Sequence, residues 1–515
     1  VAGVAPAQAP QRSRAAAVLL MVAAALTGCA TRFENSPLAA GAVNQERRVE
    51  APSSDGHPAI LIAISGGGSR AAALGWAVLE QLKAASYPSP GEPSGRRRLI
   101  DDVVAVSSVS GGSITAAYFG LYGPDKLDSL EDAFFRPNNM SALLWRAANP
   151  YNWLRLKFQG NARITLLEEL LDRRLFAHAT FADMNQPGKP YVVLNATDMG
   201  SGEIFAFSPA RFDDICSDFD RQPLATGVAA SGAFPILLSP VALQDFSFTP
   251  TCASRPLPAW VSSRVLTSRY SRFLNLPEYK SAQYAFDLRH GGALAADRDL
   301  VLRKIDHVYL LDGGLQDNLG IHGLLEVLNS IHGPSIVPDP RQPGTTEPLL
   351  AAINSGDIGK LAVIIVNART DPPNPVSTQR SRPGLLGMIG AVASQPIDAT
   401  TASVNEQINV LLAQLQTGAG LGLQIYTVQV DIDQFKIANA DEKALRDAAN
   451  KVPTSYSISA GDLRVIEKSA DVLLSNNPCF QRLLLDVGAN RPTPDPQSAV
   501  TGCPQPKDRA PLDGK

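Results

Sequence analysis

Asp102-Val103-Val104-Ala105-Val106-Ser107-Ser108-Val109-Ser110-Gly111-Gly112 is the stretch on which the fold turns. Its apolar run has the character of a strand buried on both faces, as in a parallel sheet. It breaks into serines and glycines, and a helical pattern follows through Ile114, Ala117, Tyr118 and Leu121. Upstream the same grammar occurs once more. Ala59-Ile60-Leu61-Ile62-Ala63-Ile64 runs into Gly66-Gly67-Gly68 and then a helix through Trp76, Leu79 and Leu82. Two strand–glycine–helix units in succession predict an α/β sheet.

Further strands are expected at Tyr191–Asn195, Val308–Leu311, Leu361–Val366 and Gln424–Val430. Val404, Ile408, Leu411, Leu412 and Leu415 have the spacing of a helix that covers a sheet. Strand-like and helical stretches alternate past residue 360, so residues 57–475 read as one domain with two additions. The first, near 125–176, is helix-rich and carries Phe134, Phe135, Trp145 and Trp153. The second, near 244–298, is irregular and carries Trp260, Tyr270, Phe273 and Tyr279. These aromatics suit an apolar channel or cap, or plain packing. Pro383 to Gly390, beside Arg380 and Arg382, reads as a buried loop in preference to a segment dipping into a membrane interface. Residues 476–515 form a proline-rich tail, expected to lack a core role after Ala489.

The chain has 515 residues, with Lys+Arg 46 against Asp+Glu 49 and a formal charge of -3. That is enough chain for a large core, and it lacks the basic excess that tracks a phosphate backbone, so nucleic acid is not an expected partner. Arg12 and Arg14 precede the apolar run Ala15–Leu26, too short to span a bilayer and patterned like a secretory signal. It ends in Leu26-Thr27-Gly28-Cys29, which resembles a bacterial lipobox. Residues 1–28 are thus expected to be a lipoprotein signal, Cys29 the lipidated residue, and 29–56 a polar tether. Such a protein would sit in a bacterial envelope, on the outer membrane where two membranes exist. The remaining cysteines, Cys216, Cys252, Cys479 and Cys503, are an even set that favours two disulfides in an exported chain. Proximity favours Cys216–Cys252 and Cys479–Cys503, out of three connectivities.

Ser110 lies where the second strand turns into a helix, the place where a nucleophile's oxygen is exposed by a sharp turn. Ser108 replaces the first glycine of the G-x-S-x-G pattern. Ser65-Gly66-Gly67-Gly68-Ser69-Arg70 opens the preceding helix, so its amides can converge on an oxyanion. Gly66-x-Gly68-x-x-Ala71 also satisfies a dinucleotide pattern, but the next strand ends in Ser107 and Ser108 where that reading wants an acid. No Gly-Lys-Ser/Thr follows, which excludes a P-loop. Leu311-Asp312-Gly313-Gly314 places a carboxylate at another strand end, followed by Asp317-Asn318-Leu319-Gly320.

These three pieces, in this order, resemble the patatin-like phospholipase family. Asn195-Ala196-Thr197-Asp198 with Gly202-Glu203, and Ala229 to Pro235 running on to Ser239-Pro240, add to the likeness. It spans Ile60 to Gly320, and Ser65, Ala71 and Ser108 depart from it. The resemblance implies a three-layer α/β/α fold with a mainly parallel central sheet and helix-rich insertions. It implies a lipid acyl hydrolase with Ser110 as nucleophile and Asp312 as its base. Gly66, Gly67 and Gly68 would form the oxyanion hole, chiefly through the amides of Gly67 and Gly68, and Arg70 would steady that loop or a headgroup. Membrane lipid would be the substrate. No cofactor is expected, and without a calcium-loop pattern no metal is either. The rival is a non-catalytic lipoprotein of the same fold that binds acyl chains or an envelope partner. His322 and His332 follow Asp312 in triad order, but His322 opens the next helix and reads, like His307, as capping or solvated. Asp198 and Asp317 are expected to hold loops.

Overall fold

Strand β1 (Ala59–Ile64) is buried along its whole length, and its side chains divide between two cores. Ile60, Ile62 and Ile64 join one apolar cluster, while Ala59, Leu61 and Ala63 join another. A strand alternates its side chains across the sheet, so this division means that both faces are covered. β9 (Lys360–Asn367) repeats it, with Ala362, Ile364 and Val366 on one side and Leu361, Val363 and Ile365 on the other. Continuous apolar runs are what a sheet covered on both faces demands.

The computed structural model describes residues 33–42, 44, 49, 56–158, 163–235, 238–247, 249–253, 307–324, 358–369, 408, 423–436, 438–491 and 495–505. Outside them lie the signal segment with Cys29, most of the tether, and Trp260, Tyr270, Phe273 and Tyr279 of the second addition. His332, the 383–390 loop and the 404–415 helix also lie outside, apart from a helical, buried Ile408. Among the described residues no helix is long and apolar enough to cross a membrane.

Between β1 and its neighbours come α1 (Gly68–Ala84), a small hairpin of β2 (Ser86–Pro88) and β3 (Arg96–Arg98), β4 (Val103–Val109) and α2 (Gly111–Tyr122). The helix-rich addition follows as α3 (Asn139–Ala148), α4 (Pro150–Phe158) and α5 (Arg163–Leu171). Next come β5 (Tyr191–Asp198), β6 (Ile204–Ala206), α6 (Leu224–Ser231), β7 (Val241–Gln244) and β8 (His307–Asp312). After β9 come β10 (Gln424–Asp431), α7 (Ala460–Asn476), α8 (Pro478–Val487) and α9 (Pro496–Gly502). The sheet order is β10-β9-β1-β4-β5-β8-β7, with β6 paired to β5. The five strands from β10 to β5 are parallel, whereas β6, β8 and β7 add antiparallel pairings. This is a mostly parallel sheet with flanking helices, the expected patatin-like α/β/α architecture.

Register positions the site. Val109 of β4 lies opposite Asn195 of β5, and the next β5 residue, Ala196, lies opposite Asp312 of β8. β5 therefore acts as a ruler that sets the end of β8 level with Ser110. Because β8 is antiparallel to β5, its carboxyl end points back toward the Ser110 turn.

Two ends of the chain depart from the sequence expectation. Residues 33–42 and Asn44 fall in the expected tether but are tied to the domain. Asn35 bonds Ser217 and Gln244, Asn44 bonds Asp213 and Ser217, and Leu38 packs beside Cys216 and Cys252. Asparagine side chains supply both donors and acceptors, so a segment poor in large apolar residues is still held. The tail past Ala489 also has a core role. Gln505 is fully buried and bonds both the amide and the carbonyl of Ile425. Its amide group thus stands in for the missing neighbour of the edge strand β10.

Candidate active site

Ser110 occupies φ 50, ψ -119 between β4 and α2, a backbone state that costs a non-glycine residue about 1–3 kcal/mol. The surrounding bonds hold it there. Its amide donates to Ser231 Oγ at 2.8 Å, and Ser231 Oγ in turn donates to Asn195 O at 2.6 Å. Gly111 and Gly112 are required by close approach to the β1 end of the neighbouring unit. A Cβ at Gly111 would lie 1.9 Å from Gly68 O, and one at Gly112 would lie 2.6 Å from Ile64 O. Ser108 stands where the glycine pattern departs, and its Oγ is accommodated by Ser113 Oγ and Val193 O.

Ser110 Oγ donates to Asp312 Oδ2 at 2.9 Å. The other oxygen, Oδ1, accepts the Gly314 amide at 2.8 Å. Asp312 is further fixed by its own amide bonding Ala233 O and by Thr197 Oγ1 bonding its carbonyl. Burial pushes its carboxyl up to about 6, opposed by the Gly314 amide and the Ser110 hydroxyl. A carboxylate of that basicity, in line with a serine hydroxyl, can accept its proton near neutral pH.

The glycine loop resolves into engaged and open amides. Ser65 N bonds Val366 O, Gly66 N bonds Asn318 O and Ser69 N bonds Ser455 O. Gly66 is therefore corrected from oxyanion donor to loop support, because its N–H is already paired. Gly67 (φ 139) and Gly68 (φ 61) take conformations that favour glycine, and they open α1, where amides have no partner within the helix. Arg70 is buried, and its guanidinium donates to Ala368 O at 2.8 Å and Val452 O at 2.7 Å. Burial lowers its pKa to about 10. Of its two expected roles, these bonds make it a brace for the loop.

His322 Nδ1 lies 3.0 Å from Asp317 Oδ2, and Asp317 also accepts the amides of Leu319, Gly320 and His322. This pair folds the turn after Asp312, while Ser110 meets the carboxylate of Asp312 directly. Asp198 accepts from Gly200 N and Ser201 Oγ and closes its own turn. His307 begins β8 and stacks with Tyr309. Disulfides join Cys216 to Cys252 and Cys479 to Cys503. Among the described residues, no group of three His, Cys, Asp or Glu side chains could hold a metal ion.

Sequence reasoning missed the wall supplied by residues 452–457. Ser455 O receives the Ser69 amide, and a Cβ at Gly68 would lie 2.4 Å from it. Tyr456 donates its hydroxyl to Gly232 O at 3.0 Å. A Cβ at Gly232 would lie 3.0 Å from that hydroxyl and 3.7 Å from Ser110 Oγ. Burial, then the charge of Asp312, pushes the Tyr456 phenol up. Val452 to Tyr456 has no glycine or chemical motif in sequence, so no local signal would have found it.

The covered sheet, the serine elbow and the glycine loop define a patatin-like α/β/α domain. The family model described as Patatin-like phospholipase matches residues 62–249, bearing out the resemblance carried by the motifs and allying the chain, at family level, with lipid hydrolases. Asp312 lies beyond the matched stretch. A solved structure of human GIVD cytosolic phospholipase A2 overlaps at TM-score 0.31 and 13% identity, covering 60% of this chain and 45% of that one. The chain thus spans less than half of that protein, an overlap too loose to bear on its chemistry. No curated protein matches the sequence.

Proposed function

We propose that this chain is a lipid acyl hydrolase working through a Ser110–Asp312 dyad, of phospholipase A, lysophospholipase or carboxylesterase type. The observation that carries this reading is the 2.9 Å bond from Ser110 Oγ to Asp312 Oδ2 at a strained strand-to-helix elbow. Ser110 Oγ attacks the ester carbonyl carbon while its proton passes to Asp312 Oδ2. The amides of Gly67 and Gly68 receive the negative charge that develops on the carbonyl oxygen. Collapse of the tetrahedral state expels the alcohol, which takes the proton from Asp312, and leaves an acyl-serine. A water, deprotonated by the same carboxylate, then releases the fatty acid and restores Ser110.

Anchoring through a lipidated Cys29 in a bacterial envelope would keep the cleft within reach of membrane lipid. The lipobox-like Leu26-Thr27-Gly28-Cys29 supports that placement.

Labelling by a fluorophosphonate probe tests the nucleophile. The parent chain labels, and Ser110→Ala abolishes labelling while circular dichroism stays unchanged. Equal labelling of Ser110→Ala would reject the assignment. A parent chain that never labels and never turns over esters would instead favour the acyl-binding lipoprotein.

A further inference from the structure

The α3–α4 hairpin presents large apolar side chains to solvent. Leu144, Trp145, Tyr151, Trp153 and Leu154 are each more than half exposed, and Trp145 is 79% exposed. Their neighbours in the same addition, Phe134 and Phe135, are buried in the core, so the addition divides into a packed base and an outward-facing tip. Exposed large apolar groups gathered on one element mark a surface for something apolar.

A second property sets this element apart. Between Asp132 and Glu168 the sequence carries Arg136, Arg146, Arg155, Lys157 and Arg163 and no acidic residue, in a chain whose formal charge is -3. Arg136 is answered by Glu131 and Asp132, but the arginines farther along converge on one acid. Arg146, Arg155 and Arg173 all pair with the single carboxylate of Glu169, which leaves the hairpin's base cationic. Burial, reinforced by the neighbouring arginines, lowers the pKa of Arg146.

The third observation is position. Met140, at the start of α3, donates its amide to Ser457 Oγ at 2.8 Å, next to Tyr456, whose hydroxyl reaches Gly232 beside Ser110. The hairpin is therefore tied at its base to the segment that walls the Ser110 site.

We propose that the α3–α4 hairpin is an interfacial docking surface for an anionic phospholipid bilayer. Its tryptophans, tyrosine and leucines enter the boundary between headgroups and acyl chains, where amphipathic rings settle. The net positive charge at its base draws it toward lipid phosphates, each unneutralised cation strengthening attachment about fivefold near an anionic surface. Docking presses the mouth of the Ser110 cleft to the membrane. A second copy of the chain would bring an equally cationic face and be repelled, so charge favours lipid as the occupant. The inference rests on the proposed lipid hydrolysis for its purpose, but the binding is measured without turnover.

The test uses the full chain carrying Cys29→Ser, which removes only the lipid anchor, and Ser110→Ala, which prevents turnover. Co-sedimentation is read with vesicles of phosphatidylglycerol in phosphatidylcholine and with vesicles of phosphatidylcholine alone. Binding is expected to be at least about tenfold tighter on the anionic vesicles, to weaken in high salt, and to blue-shift tryptophan emission. Trp145→Ser with Trp153→Ser should reduce binding about tenfold or more and abolish the blue shift. In a Ser110-intact chain, the same pair should leave hydrolysis of a water-soluble short-chain ester unchanged. Equal binding by the double variant, equal binding to neutral vesicles, or no binding to either would overturn the proposal. So would concentration-dependent dimerisation that the double variant removes, which would assign the face to a second copy. A failure of the dyad would appear separately, as lost short-chain hydrolysis in the Ser110-intact parent with vesicle binding retained.

Discussion

The two ends of β4 each carry a buried carboxyl, and they are built for opposite tasks. Asp102, just before the strand, accepts Tyr87 Oη at 2.6 Å and Arg97 Nε at 2.6 Å. Asp312, level with the far end, accepts the Ser110 hydroxyl and the Gly314 amide. Burial raises both carboxyls to about 6. What opposes burial differs. At Asp102 it is a phenol and a guanidinium; at Asp312 it is an amide and a hydroxyl, both neutral. A cation would lock the charge and take away the base's reason to accept a proton. Neutral donors orient the carboxylate and leave it basic. Equal pKa values thus conceal a structural ion pair at one end and, at the other, a carboxylate held only by neutral donors, as the proposed base requires.

The sharpest way to break this contrast is Asp312→Asn, which should lower kcat about a thousandfold in ester hydrolysis while the fold persists. Its stability effect has a sign that can be worked out. The folded pKa is raised from 3.8 to about 6, so ionisation strains the folded state. That strain is absent below the unfolded pKa and complete once pH exceeds about 6. At pH 8 the asparagine variant should therefore melt higher than the parent, by up to about 3 kcal/mol, and the gain should vanish near pH 4. The parent's kcat/KM should correspondingly fall as pH drops through about 6. A variant that melts lower at pH 8, or a flat profile, would remove Asp312 from the role of strained base.

Asp102→Asn carries the same relief of charge burial, since its carboxyl is also raised to about 6. It leaves the Arg97 guanidinium without its carboxylate, however, and should therefore melt lower than Asp312→Asn at pH 8. Its kcat/KM should stay within about twofold at a temperature where it is folded. Denaturant melts and ester kinetics on the same preparation check both. Loss of turnover beyond loss of fold would show that the two ends of β4 are coupled.

Tyr456→Phe is the smallest change. It removes one hydrogen bond to Gly232 O and should lower kcat about three- to tenfold, in line with a net bond of about 1 kcal/mol. Unfolding midpoints should move little. An unchanged kcat would confine Tyr456 to packing.

The sequence made the strands, the Ser110 elbow and the Asp312 turn legible because each is a local pattern. β1, β4, β5, β8, β9 and β10 all coincide with apolar runs that were expected as strands. The register through β5 that sets Asp312 beside Ser110 is not local, and only the motif order pointed to it. The hairpin of β2 and β3, and the short β6 and β7, were invisible because three or four residues carry too little alternation. Gly66 was misjudged because its amide partner, Asn318 O, is distant in sequence. The docked Asn35 and Asn44 and the edge-closing Gln505 were missed for a related reason. Polar side chains that pair with a distant backbone leave no periodic trace.

The strut at residues 452–457 also fixes an order of events. Arg70 and Ser69 await the carbonyls of Val452 and Ser455, nearly four hundred positions downstream. During synthesis Ser110 and Asp312 emerge long before the piece that holds the glycine loop in shape. A nascent or clipped chain lacking residues 452–457 would thus carry both side chains without the contacts that brace the glycine loop.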